Sequence, residues 1–414
     1  MMPLMFGLNR NLCLLWLGQF ISQAGDAVTG MASLWLMLEL TGSRTLTGLI
    51  AFSSTLPILL FSLPAGVAVD RFDRRLLMLV SDGFRMLLVC LIPVLLAYSA
   101  LTPLRLAIIV FLMATFSSVF NPARDTLVPM MASREEYLRV NSLMQTYGYL
   151  AWFFGLFAAG SILEIVSLKG LFLFDSATFL LSFLCIYFIR LEPRIPVPEA
   201  KTIVVEKPSL WSELRAGLHY ITVKDRRLLW LLVVTALNNF FIMGPASVGM
   251  PILVRESLAG SGREFAWLES MYGVGTLAGV WLMYRWRNIG KKGRTLMVAL
   301  IFDGLTYCPL FWVAGFGVSP FIAGLAIIFI HSLGIPFIQV VRTSLIHNIV
   351  PVQFHGRVFS MLNLAVMGMM SLSTVVSGVA LEFMSARTLF LVIGIGAGLT
   401  GLMGLLNRDL RNAD

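Results

Sequence analysis

The chain has 414 residues, of which 58% are hydrophobic and only 13% charged, and its mean hydropathy is +0.85. A soluble domain is roughly half apolar and a quarter charged, so most of this chain is built for lipid and no stretch is left for a separate catalytic domain. The net charge of +9 is spread over short polar segments, without a continuous basic face interleaved with aromatics, which argues against nucleic acid as a partner.

In chain order, apolar runs bounded by charge, Pro or Gly fall at 11–38, 45–69, 76–99, 104–124, 139–164 and 170–190. A second set falls at 228–253, 264–286, 295–316, 320–345, 358–382 and 387–406. Each is long enough to cross a hydrocarbon core as a helix. The pattern predicts an all-α integral membrane protein of twelve transmembrane helices, arranged as two six-helix bundles with pseudo-two-fold symmetry. The first bundle is assigned to residues 1–190 and the second to 228–414. The first run is too long for the apolar core of a signal peptide and is expected to remain as the first span.

Between the sets lies a polar linker, 191–227, with Pro193, Pro196, Pro198 and Pro208 followed by WSELRAGLHYI, which reads as an amphipathic surface helix. With the N-terminus in the cytoplasm, roughly 25 of the 31 Lys and Arg residues fall on that side, so the positive-inside rule places both termini and the linker there. A weak internal repeat supports the duplication. Val128 and Pro129 precede RVNSL at 139–143, and Val350 and Pro351 precede RVFSM at 357–361. Two such halves can rock about a central site and expose it to each side in turn.

Ionisable side chains inside apolar spans are costly and so point to function. Asp26, near the middle of the first span, is the first candidate, as a proton acceptor whose charge state tracks a transport cycle; the alternative is a structural Asp beside Gly25. Asp82 and Arg85 lie three residues apart on one face of the third span and read as gate or mouth charges near its cytoplasmic end. Arg124 and Asp125 read the same way at the end of the fourth span. Arg342, with Gln339 one turn before it, is placed at the mouth between the halves. Asn238, Asn239 and Gln339 are candidates for the substrate cavity, although a buried asparagine pair also serves simply to bond neighbouring helices. Glu269, early in the eighth span, reads as a residue that reaches the outer interface. Trp16, Trp35, Phe116, Tyr147, Trp152 and Phe240, with 22 Met residues, suit an adaptable apolar pocket or ordinary core.

Other chemistries lack their residues. Cys13, Cys90, Cys185 and Cys308 are scattered, and His219, His331, His347 and His355 show no metal-ligand spacing. Gly396, Gly398 and Gly401 form G-x-G-x-x-G inside the last apolar run, away from any strand-to-helix turn, and read as close-packing positions. No P-loop, GxSxG or HExxH occurs. The expectation is a non-enzyme with no cofactor and no metal, energised by an ion gradient.

The loop after the second span reads GVAVDRFDRR. It matches the major facilitator signature G-x-x-x-D-R-x-x-R-R/K at Gly66, Asp70, Arg71, Arg74 and Arg75, in the position where that superfamily carries it. An ordinary positive-inside loop accounts for the arginines but not for the Gly and Asp. The motif implies a cytoplasmic gate, with Gly66 allowing close helix approach and Asp70 accepting hydrogen bonds across the gate. The corresponding second-half loop, YRWRNIGKKGR, keeps the charge but not the Asp. FNPARDTLVP at 120–129, RVNSL, FDSATF at 174–179 and HGRVFS at 355–360 resemble the branch that contains macrolide efflux permeases and the enterobactin exporter. That resemblance implies a monomeric transporter in a bacterial inner membrane, among membrane lipids. It would export a small amphipathic substrate, whether drug, macrolide-like compound or siderophore, against protons by alternating access. A lysophospholipid or other lipid substrate is the alternative within transport, and a non-transporting scaffold or sensor the alternative outside it.

Overall fold

A computed structural model describes residues 9–132, 137–190, 215, 218–219, 221–222, 225–286, 290–315, 317–351 and 354–414. The proline-rich linker 191–214 and most of the segment expected to form an amphipathic helix lie outside the described residues.

The first half contains α1 (Arg10–Thr41), α2 (Arg44–Arg71), α3 (Arg74–Ala97), α4 (Pro103–Met131) and the long run α5 (Tyr137–Tyr187). The starts follow from side-chain caps that satisfy free N–H groups: Asn9, Ser43, Asp73 and Thr102 each accept a hydrogen bond from the backbone N–H three residues on. Gly42 closes α1 in the left-handed conformation, with φ of 63°, so that Ser43 can cap α2 at once. The run α5 has 51 residues, about 77 Å if straight, far more than a bilayer is thick. It breaks at Ser167, with φ of 61° and ψ of 168°, inside the gap expected between the fifth and sixth spans.

The second half is less regular. α6 (Arg226–Gly244) runs through a π-helical turn at Pro245–Gly249 into α7 (Met250–Ser257), and α8 (Gly262–Arg285) follows. α9 (Lys292–Leu305) gives way to a 3₁₀ segment at Cys308–Gly315. α10 (Pro320–Ser332) and α11 (Ile335–Ile349) meet at a turn at Leu333 and Gly334 that keeps right-handed helical torsions. α12 (His355–Phe383), α13 (Ala386–Leu406) and the short α14 (Arg408–Arg411) complete the chain. At the first interruption α12 supplies the missing partners: Ser373 donates to the Phe240 carbonyl and accepts from the Gly244 N–H. Non-helical backbone at membrane depth survives only where protein satisfies it in this way.

Among the described residues no strand occurs, and nine helical stretches are long and apolar enough to cross a membrane by length and composition. One of the nine is Tyr147–Tyr187, which contains the break at Ser167. The two limbs on either side of that break, and α1 and α8, which carry more polar side chains, are further long helical segments. Large apolar side chains such as Leu91, Phe188 and Leu399 point outward and stay exposed, as lipid-facing residues must. The chain is a multi-pass membrane protein.

Two seams join the halves: α2 against α12, and the first limb of α5 against α8. In the first seam Gly48 meets Gly378, where an added Cβ on Gly48 would lie 2.9 Å from the Gly378 Cα. Small residues let these helices approach to backbone contact.

Candidate central cavity

A cavity of about 1080 Å³ lies between the halves, large enough to hold a drug-sized ligand. Asp26, Tyr147 and Trp152 line it from the first half, and Asn238, Tyr272 and His331 from the second. Trp35 and Phe265 stack with ring centroids 6.0 Å apart beside it.

The first-half wall is organised by Arg85. Burial takes the guanidinium to 3% exposure, and it lies between the Phe120 and Phe179 rings at 4.6 and 4.4 Å from their centroids. It donates to Asp82, which is fully buried, to Asp26 Oδ2 at 3.2 Å and to Ser117 Oγ at 3.4 Å. Asp26 keeps 37% of its side chain exposed toward the cavity. Asp175 is fully buried beside this group and accepts from the Thr178 hydroxyl at 2.9 Å. Gly25 is required here, because a Cβ at that position would fall 2.0 Å from Asp175 Oδ1. The first half thus brings two carboxylates to one guanidinium, with a third, Asp175, buried beside them, and of the three Asp26 opens most to the cavity.

The second-half wall carries a network absent from the sequence reading. Asn238 Nδ2 donates to Asp303 Oδ2 at 3.3 Å, and Asp303 Oδ1 faces His331 Nε2 at 3.5 Å. The Tyr307 ring covers His331 with centroids 4.0 Å apart, and the Tyr307 and Tyr272 hydroxyls are hydrogen-bonded at 2.6 Å. Glu269 belongs to the cavity wall and not to the outer interface. It forms no hydrogen bond or ion pair with any described residue.

Several assignments from the sequence change. Asp82 and Arg85 are not mouth charges: they sit in the bundle interior, because α3 runs two turns past its cap before reaching them. Gly66 faces open space, with nothing within 4 Å of an added Cβ, so close helix approach does not explain it. In the rest of the motif, Asp70 and Arg71 are exposed, and Arg75 donates to the Ile186 carbonyl at 3.1 Å and to the Tyr187 carbonyl, tying α3 to the end of the sixth span. Arg74 is partly buried. Arg124 and Asp125 do reach the cavity: Arg124 donates to Asp125 Oδ1 at 2.8 Å and to the Tyr147 hydroxyl at 3.0 Å. Arg342 also lines it, with no hydrogen bond or ion pair to any described residue. Asn239 is turned onto the Thr235 carbonyl of its own helix at 2.8 Å, and Gln339 accepts from the Tyr149 hydroxyl across the halves at 2.7 Å.

The cavity extends to Arg124, Asp125 and Arg342 on the side of the termini and is closed at the opposite end. There Arg44 donates to Glu256 Oε1 at 3.0 and 2.8 Å and to the Leu381 carbonyl. Thr45 donates to Glu382 through N–H and hydroxyl at 3.1 and 2.9 Å, Arg255 to the Leu38 carbonyl at 2.7 Å, and Arg263 to Glu164. All of these contacts join the two halves. A partly exposed ion pair contributes only about 0.2–1 kcal/mol, and a hydrogen bond from a charged group about 1.5–3 kcal/mol. Arg44→Ala is therefore expected to move the balance between closed and open ends about tenfold toward opening, as 1.4 kcal/mol does. Distance distributions between spin labels on residues 40 and 383 would show it, and an unchanged distribution would mean the latch lies elsewhere.

The whole-chain comparisons agree with this architecture. The model of the family described as transmembrane secretion effector matches residues 6–414. The chain belongs to that family of major facilitator transporters. It is 26% identical to the uncharacterised major facilitator-type transporter YfiS of Bacillus subtilis, covering 98% of this chain and 95% of that one. It is 22% identical to macrolide efflux protein A of Streptococcus pyogenes, covering 92% and 91%. Among solved structures, a bacterial homologue of the iron transporter ferroportin in its inward-facing state superposes with a TM-score of 0.73 at 15% identity, covering 95% of this chain and 98% of that one. The fold is that of the major facilitators, and the protein is a transporter and not an enzyme.

The sequence overlooked Asp175, Asp303 and His331. Asp175 and Asp303 carry the same signal that marked Asp26, an acid inside an apolar run. His331 was weighed only as a metal ligand.

Proposed function

We propose that this transporter exports small amphipathic compounds, of drug, macrolide-like or siderophore type, in exchange for protons. It works in a bacterial plasma membrane as a monomer among the membrane lipids, with both termini and the 191–227 linker cytoplasmic and the halves 1–190 and 228–414 rocking about the cavity. No cofactor or metal takes part, and the proton gradient supplies the energy. The observation that carries this reading is Asp26, a carboxylate held by a buried guanidinium yet open to a drug-sized cavity between the halves. The macrolide efflux relative supports the substrate class.

In the cycle, a proton taken up by Asp26 would weaken its hold on Arg85, and substrate in the cavity would displace water from the same wall. The potential contributes about 2.3 kcal/mol per proton per 100 mV. Cells expressing the chain should accumulate several-fold less ethidium and erythromycin than controls, and a protonophore should restore accumulation. An insensitive difference would overturn proton coupling. No difference for any compound of the class, with the protein present in the membrane, would overturn the substrate class in favour of lipids.

A further inference from the structure

We infer that Asp303 and His331 together form a second proton-carrying site, in the half of the transporter opposite Asp26. Its place in the transport cycle rests on the proton-driven reading above; the presence of the proton does not.

The argument starts from the His331 ring. Its Nδ1 lies 3.1 Å from the Asp303 backbone carbonyl and 3.0 Å from the Thr306 hydroxyl. A carbonyl oxygen only accepts, and the Thr306 hydroxyl donates to the Phe302 carbonyl at 2.8 Å, which leaves its lone pair for the ring. The carbonyl contact places a hydrogen on Nδ1, and the Thr306 hydroxyl, which has carbonyl acceptors of its own, is compatible with it. The other nitrogen, Nε2, then faces Asp303 Oδ1 at 3.5 Å with both groups almost wholly buried. With a hydrogen on Nδ1 alone and the carboxylate ionised, two lone pairs would confront each other without water between them. A proton between Oδ1 and Nε2 removes that conflict, whichever atom it is drawn on, and changes the pair from a net charge of −1 to zero. Asn238 Nδ2 donates to the second carboxylate oxygen at 3.3 Å and holds the carboxyl plane toward the ring.

The backbone departs from a regular α-helix here. Asp303 lies in the last turn of α9, where it passes into the 3₁₀ segment, and His331 lies just before the turn at Leu333 and Gly334 between α10 and α11. The π-helical turn at Pro245–Gly249 interrupts the neighbouring span as well. Transporters place ion and substrate sites at interrupted helices, and π-bulges concentrate at functional positions.

The groups that face the pair come from every adjoining element. α6 contributes Asn238, α8 contributes Glu269 and Tyr272, and the chain after α9 contributes Tyr307. α13 contributes only apolar surface, through Phe390 against Tyr307. No cation among the described residues neutralises Asp303 as Arg85 neutralises Asp82. A proton is the available counter-charge, and cavity water can deliver it, since Asp303 and His331 both line the cavity.

The test has two arms. In the full-length protein in nanodiscs with ¹⁵N-labelled histidine, His331 is assigned by its loss in His331→Gln. The ring should carry a proton on Nδ1 with Nε2 protonated or bridged at neutral pH, and should revert to a neutral Nδ1–H ring in Asp303→Asn. A neutral Nε2–H ring in the native chain would overturn the site. In proteoliposomes with ethidium as the transported probe, the proton-to-dye ratio should fall by about one in Asp303→Asn. An unchanged ratio would overturn its role in coupling. If a protonophore leaves ethidium export untouched, the proton-driven reading fails alone, and the nitrogen spectra still decide whether the pair holds a proton.

Discussion

Gradient-driven export by Asp26→Asn should fall more than tenfold while counterflow of the same dye without a gradient is retained. The side chain is nearly isosteric, and Arg85 keeps its buried partner Asp82, so the bundle should fold. What disappears is the one member of the Asp26, Arg85 and Asp82 group that opens substantially to the cavity, at 37% exposure against 3% and 0%. A carboxylate couples only if it can exchange its proton with water in one state and lose access in another, and neither Asp82 nor Asp175 lines the cavity. Dye efflux from energised vesicles, beside counterflow in the same preparation, separates the two functions. Retained driven export would remove Asp26 from coupling. Loss of both activities with protein present would assign it to substrate binding instead.

That prediction begins with a residue legible in the sequence, and the reasons for success and failure differ along the chain. The helical segments could be read because lipid demands long apolar runs, and their approximate ends because charged residues, Pro or Gly bound those runs. Asp26 could be read because a lone acid in such a run must have a reason. The pairing of Asp82 with Arg85 followed from helical spacing, whereas its depth did not. Closeness in sequence to the arginine-rich loop suggested a mouth, while Phe120 and Phe179, distant in the chain, close over the guanidinium. The Asp303 and His331 pair is joined across two helices and anchored by the Asp303 backbone carbonyl at the end of α9. No local spacing encodes such a contact. Gly66 shows the opposite failure: the motif was visible, but the packing reason given for its glycine does not hold in this conformation.

Arg85→Leu is expected to be the most damaging single change to stability, at about 3–5 kcal/mol, because it strands a buried carboxylate without its partner. The substitution removes the ion pair to the fully buried Asp82, the contact with Asp26 and the placement between two rings; the last adds about 0.5–2 kcal/mol by itself. The same reasoning makes a sharper claim about the double variant. Replacing both members of a buried pair by apolar residues is often neutral or stabilising, since it also removes the desolvation cost of both charges. Arg85→Leu with Asp82→Leu should therefore recover most of the lost thermal stability in detergent, while driven export stays absent because Asp26 has lost its guanidinium. A purely structural pair would return both stability and export in the double variant. Recovery of stability without export would assign Arg85 to the coupling machinery, as the group whose hold on Asp26 the proton releases.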